Sequence, residues 1–184
     1  PIVNVVVFSF NSTRSIASFS APSLHWYRTV LDNQDLLASI WLSIRIATVC
    51  GLVSVLIGTL LALGLPRMGR REAAAPQLIL GLTFTTPEIA MGVSMLMLFT
   101  ALGTATSGIT VTIAHITFSL AYVVFVVRAR LSGLRTDIEE AARALGATQV
   151  GVLRLVILPQ LWLAMGVAFT VVFLLSYNDF VLSF

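Results

Sequence analysis

The fold predicted for this chain is an all-α, polytopic helix bundle set in a membrane, and three observations predict it. Of its 184 residues, 58% are hydrophobic and only 10% charged, against roughly 45–50% apolar in soluble domains. The charges separate apolar runs long enough to cross about 30 Å of hydrocarbon, which takes roughly 20 residues. All 11 basic residues are Arg, with no Lys, and most of them stand between the apolar runs.

Each element follows from this ruler. Residues 1–10 are apolar but too short to span, and read as the outer half of a helix that starts upstream. The chain opens at Pro1 without Met, charged leader or small-residue cleavage site, and is read as a piece of a longer protein. Residues 11–35 are polar, and "SLHWYRTVLDN" suits a short helix at the membrane surface. Its His25, Trp26 and Tyr27 are either an interfacial anchor or a contact for an external partner. Leu36 to Leu65 forms the first full span, broken only by Arg45, and its Ser54, Gly58 and Ala62 are small residues four apart that permit close helix approach. Ala73 to Phe99 spans next, interrupted at Pro87-Glu88, where the missing N–H frees a carbonyl and opens the helix. After the turn-like "GTATSG" of residues 103–108, Ile109 to Val127 spans again. Leu155 to Tyr177 is the last run, with Pro159 near its start and "SYNDFVLSF" at its end.

Orientation comes from the arginines. Arg67, Arg70, Arg71, Arg128, Arg130, Arg135, Arg143 and Arg154 fall in segments 66–72 and 128–154, whereas only Arg14 and Arg28 lie on the opposite side. The positive-inside rule puts those two segments in the cytoplasm and residues 11–35 and 103–108 outside. A net charge of +3 would suggest nucleic acid in a soluble protein; here it reports sidedness, and no nucleic-acid partner is expected. Without Lys there is no Walker A loop and no imine chemistry. One cysteine (Cys50) and two histidines (His25, His115) exclude a closed zinc site and a disulfide framework.

The cytoplasmic loop carries the densest pattern. Thr136 and Glu139 have capping-box spacing, which predicts a helix from Asp137. Ile138, Ala141, Ala142 and Leu145 share one small apolar face, and Glu139 can pair with Arg143 at i, i+4. Gly146 is placed to end that helix in the left-handed region. Thr148 can cap a second short helix running through Val152 and Leu155, before Pro159 interrupts the ladder. Two short amphipathic helices joined by a sharp turn make a docking element.

Here a resemblance becomes specific. "EAARALGATQVGVLRLVILP" resembles the EAA signature of ABC-importer permeases through Glu140, Ala141, Ala142, Gly146, Leu158 and Pro159, with Val156 where Ile is usual. "VVVFSFNSTR", "SLHWYRTVLDN", "TTPEIAMGVSMLMLF", "IAHITFSLAYVVFVVRARLSGL" and "LLSYNDFVLSF" are similar, in order, to segments of the spermidine/putrescine permeases, except that Ala121 replaces a common Pro. The resemblance implies a type I importer bundle truncated at both ends, with about five of six helices present at roughly 20 residues each. It implies one permease domain over residues 1–184, in a bacterial inner membrane, with an external loop at 11–35 and a cytoplasmic coupling loop at 128–158. The coupling residues would be Glu140 as acidic contact, Ala141 and Ala142 as packing face, and Gly146 as turn, with Leu158 and Pro159 closing the motif. The implied partners are a dimer of ATP-binding cassette subunits holding ATP and Mg, a second permease subunit, a soluble binding protein and the lipid bilayer. This chain itself would be non-catalytic and carry no cofactor or metal.

Ionisable residues inside spans are costly and face cavities or one another. Glu88 and Asp179 are the candidate contacts for a cationic solute, with Tyr177 and Trp162 as aromatic faces. Glu88, roughly 22 Å from the cytoplasmic end of its span at 1.5 Å per residue, either lines the pathway or pairs with Arg45 in the same outer half. Asp179 has no evident partner within the sequence, and either contacts the cation or pairs with an Arg of the partner permease. His115 reads as a hydrogen-bonded packing residue rather than a proton relay. The competing classes are a permease for another small solute, a proton-coupled secondary transporter using Glu88 and His115, and an intramembrane hydrolase pairing His115 with Ser119. The last two leave the cytoplasmic loop unexplained.

Overall fold

A computed structural model describes residues 2–134 and 136–179, with all their side chains except those of Glu88 and Thr136. The described residues are helical with no sheet, because a backbone in lipid must satisfy its N–H and C=O groups internally. The helices are α1 (Ile2–Ser9), α2 (His25–Asp32), α3 (Gln34–Gly64), α4 (Arg70–Thr85), α5 (Glu88–Ala101), α6 (Gly108–Leu131), α7 (Thr136–Ala144), α8 (Gln149–Val152) and α9 (Leu158–Asn178). The chain divides into two compact units, residues 1–44 and 45–184.

The first unit is organised by one buried amide. Asn11 is fully buried; its Nδ2 donates to the carbonyls of Ser15 and Ser18 at 2.9 Å each, and its Oδ1 accepts from the Ser20 N–H at 2.9 Å. Trp26 of α2 donates its indole N–H to the Asn11 carbonyl at 2.8 Å, and the Arg14 guanidinium lies 5.4 Å from the Trp26 ring centroid. The expected short helix is therefore present as α2, and Trp26 serves the loop's own architecture.

Among the described residues, three helical stretches are long and apolar enough to cross a membrane: Gln34–Arg67, Gly108–Leu131 and Gln149–Asn178. α6 and α9 pack on each other most extensively. α3 closes on both at small residues. Ser54 and Ala62 are fully buried and Gly58 is buried beside them. A Cβ at Gly58 would stand 2.6 Å from Val123 Cγ1, and one at Gly51 2.7 Å from the Phe169 ring. The four-residue spacing thus marks the seam between α3 and α6. Phe84 of α4 meets α6 edge-on through Tyr122, with centroids 4.9 Å apart. Ala121 is buried within an unbroken α6.

Two expectations are corrected. Pro87 does more than free one carbonyl: Thr86 and Pro87 are both extended, and α4 and α5 meet at 119°. The residue before a proline is driven out of the helical region, so the ladder stops rather than opens. Pro159, by contrast, does not interrupt its helix. A π turn over Leu153–Ile157 joins α8 to α9, and the Leu158 N–H reaches back five residues to the Leu153 carbonyl. The wider turn accommodates the proline ring in the first turn of α9, so residues 149–178 form one continuous rod.

Packing at Gly58 makes a quantitative prediction. Gly58→Ala should destabilise the purified protein by about 1–3 kcal/mol through overpacking on Val123, read as a lower thermal midpoint in detergent. Gly64→Ala, where a Cβ would meet nothing within 4 Å, should leave that midpoint unchanged or raise it.

Candidate functional site

The loop of residues 128–158 forms the two short helices and the turn that its residue pattern predicts. α7 carries the Glu139–Arg143 pair at 3.7 Å and ends at Gly146, whose φ is +86°. The Gly146 N–H bonds to the Arg143 carbonyl at 2.9 Å and the Ala147 N–H to the Ala142 carbonyl at 3.0 Å, a complete Schellman closure. Thr148 then caps α8, its hydroxyl accepting the Gly151 N–H at 3.1 Å. The predicted Thr136 cap lies outside the described side chains.

This loop holds apolar groups out from the chain. Leu145 is 90% exposed and Val150 71%, and Ile138, Glu140 and Ala141 are exposed beside them. Ala142 turns the other way and packs on the chain's own core, so the apolar face expected along α7 is divided between two directions. A cleft of about 440 Å³ separates α7 from the ends of α3 and α6, lined by Arg67, Arg128, Ser132, Glu139 and Arg143 among others. Leu158 and Pro159 lie behind the loop at the start of α9.

At the opposite end of the α6–α9 pair is a buried polar seam. Cys50 Sγ lies 3.8 Å from both Ser54 Oγ and Ser119 Oγ, all three fully or nearly fully buried. His115, 2% exposed, shares a 2.7 Å hydrogen bond between Nδ1 and Ser176 Oγ, and its Nε2 stands 3.8 Å from Asp179 Oδ2. The Asp179 side chain is itself only 8% exposed. His115 is thus hydrogen-bonded within the packing, as expected, and Asp179, which had no evident partner in the sequence, faces it. The hydroxyl bonded to His115 is Ser176 and that of Ser119 meets Cys50, so the His115–Ser119 dyad of the hydrolase reading is not formed. No cluster of three or more metal-binding side chains occurs among the described residues.

The other candidates are spread apart. Tyr177 is stacked on Phe173 at 6.1 Å beside Asp179. Trp162 is 66% exposed near the far end of α9; fifteen residues at 1.5 Å put it about 22 Å from Tyr177 along the axis. One small solute therefore cannot touch both. Glu88 opens α5 just after the break, Arg45 lies on an exposed face of α3, and the proposed Arg45–Glu88 pair lies outside the described side chains. The contribution of Ser176 was missed in the sequence; its sign was the spacing Ser176–Asp179, which puts both on one helix face.

Residues 54–183 match the family of binding-protein-dependent transport system inner membrane components. The chain belongs to that family. It is 32% identical over 190 residues to the putrescine transport system permease protein PotI of Escherichia coli K12, covering all of this chain and 68% of that protein. It is 34% identical over 183 residues to the spermidine/putrescine transport system permease protein PotC of the same strain, covering 69% of it, and 33% identical to PotC of Haemophilus influenzae, covering 71%. As an inner-membrane component of a binding-protein-dependent transport system, this permease is a multi-pass membrane protein and a transport subunit.

The arginine distribution fixes a testable sidedness. In a Cys50→Ser background, Leu145→Cys in the permease should react with a membrane-impermeant maleimide in inverted vesicles and not in intact cells, while Ala105→Cys should show the reverse.

Proposed function

We propose that this permease passes a small polycation, spermidine or putrescine, from an external soluble binding protein to the cytoplasm, driven by ATP hydrolysis on partner chains. The observation that carries this reading is similarity along the whole chain to permeases of putrescine and of spermidine/putrescine transport. The site chemistry agrees with it. Asp179 supplies a carboxylate and Tyr177 an aromatic face at the outer end of α9, and Glu88 marks the broken span, so an ammonium group would meet anions where lipid-facing spans otherwise offer none.

The motor is assigned to a dimer of ATP-binding cassette subunits that hold ATP and Mg, since a chain without Lys cannot build a Walker A loop. These subunits dock on residues 128–158, with Glu140 as acidic contact, the exposed apolar groups around Leu145 as the buried face and Gly146 as the turn. A second permease subunit completes the pathway. Closure of the ATPase dimer would move the loop as a rigid body.

Proteoliposomes holding the full importer test both halves. Gly146→Val, strained at a positive φ, should abolish ATP-dependent putrescine uptake and uncouple ATP hydrolysis while the chain still inserts; unchanged uptake would overturn the docking role. Asp179→Asn should slow putrescine uptake about tenfold without loss of assembly, as expected for one charge-assisted contact removed. Equal uptake would remove Asp179 from the pathway.

A further inference from the structure

The geometry points to His115 as the positioning residue for the Asp179 carboxylate, a role resting on the reading of Asp179 as a contact for the transported cation. Asp179 follows directly on the last turn of α9, at the negative end of the helix dipole, where a carboxylate is disfavoured. Its side chain is nonetheless almost buried, turned towards the α6–α9 seam where His115 lies.

The ring is fixed from the other side. Ser176 and Asp179 are three residues apart, on one face of the helix end, and flank the imidazole between them. With Ser176 bonded at Nδ1, the ring's other nitrogen is aimed by that bond, the usual way a histidine's second nitrogen is set. Nε2 is buried and has no hydrogen-bond partner of its own, and Asp179 Oδ2 stands 3.8 Å away. One tautomer gives every atom a role: Ser176 donates its O–H to Nδ1, and Nε2–H points at the carboxylate. A carboxylate has about four acceptor sites. The Nε2–H dipole of His115 approaches one edge of it at 3.8 Å. His115 therefore sets where the carboxylate stands without touching the solute.

The test uses the full importer in proteoliposomes, with saturating loaded binding protein, and reads putrescine uptake and stimulated ATP hydrolysis separately. His115→Ala should lower uptake about tenfold, through loss of the neighbouring N–H dipole that orients the carboxylate, while stimulated hydrolysis stays within about twofold. His115→Gln, whose amide N–H can replace Nε2–H, should restore most of the uptake. The double variant His115→Ala with Asp179→Asn should transport no more slowly than Asp179→Asn alone, because both changes remove one interaction. Additive losses, or failure of His115→Gln to rescue, would overturn the assignment. Should His115→Ala not assemble, Ser176→Ala carries the test: lowered uptake with hydrolysis retained is the result expected, and full uptake contradicts it. Full uptake by Asp179→Asn refutes the pathway role of Asp179 itself. Slow uptake by Asp179→Asn with full uptake by His115→Ala refutes only the positioning role.

Discussion

The packing of α6 against α9 is the contact on which the rest of the structure depends. Its two helices are the ones the cytoplasmic loop connects, and the same two bring His115 to Ser176 and Asp179 at the far end. Close approach of α3 at Gly51, Ser54 and Gly58 completes this core and seals the polar seam away from lipid. Where apolar surface gives no advantage over lipid tails, such seams of small residues and interhelical hydrogen bonds are what hold spans together, at about 0.6–1.7 kcal/mol per bond.

A mechanical consequence follows from the π turn. α8, the turn and α9 form one helical rod over 30 residues, about 45 Å long at 1.5 Å per residue. Thr148 and the Gly146 closure anchor one end of it to α7, and Asp179 follows its other end. In the proposed importer, a movement imposed on the loop by the ATPase subunits is delivered to the carboxylate by this rod. A proline-broken helix at the same place would have absorbed the movement in its hinge. In that reading, the absence of Lys from these 184 residues fits a chain that receives force at the loop.

Local chemistry was legible in the sequence and tertiary geometry was not. The stop at Gly146, the Thr148 cap, the Glu139–Arg143 pair and the small-residue seam on α3 each depend on neighbours within about one or two turns, which spacing alone reveals. Pro87 and Pro159 show the limit. The residue before Pro87 is extended and the helices break at 119°, whereas the residue before Pro159 stays helical and a π turn carries the chain through. The His115 constellation was illegible for a similar reason. His115 and Ser176 are 61 residues apart, and nothing local announces their 2.7 Å bond. A polar residue in an apolar run signals that a partner exists; only the packing of α6 on α9 says which one.

Distance measurement between spin labels at Val150 and Thr170, in a Cys50→Ser background of the full importer, tests the rod most directly. Both positions are exposed, and twenty residues of helix separate them by about 30 Å. A distribution that keeps its centre and width between nucleotide-free and ATP-bound states is the result predicted. A shift or broadening of more than about 5 Å, close to one helical turn, would mean that the π turn bends, and would contradict rigid delivery of the loop's movement to Asp179.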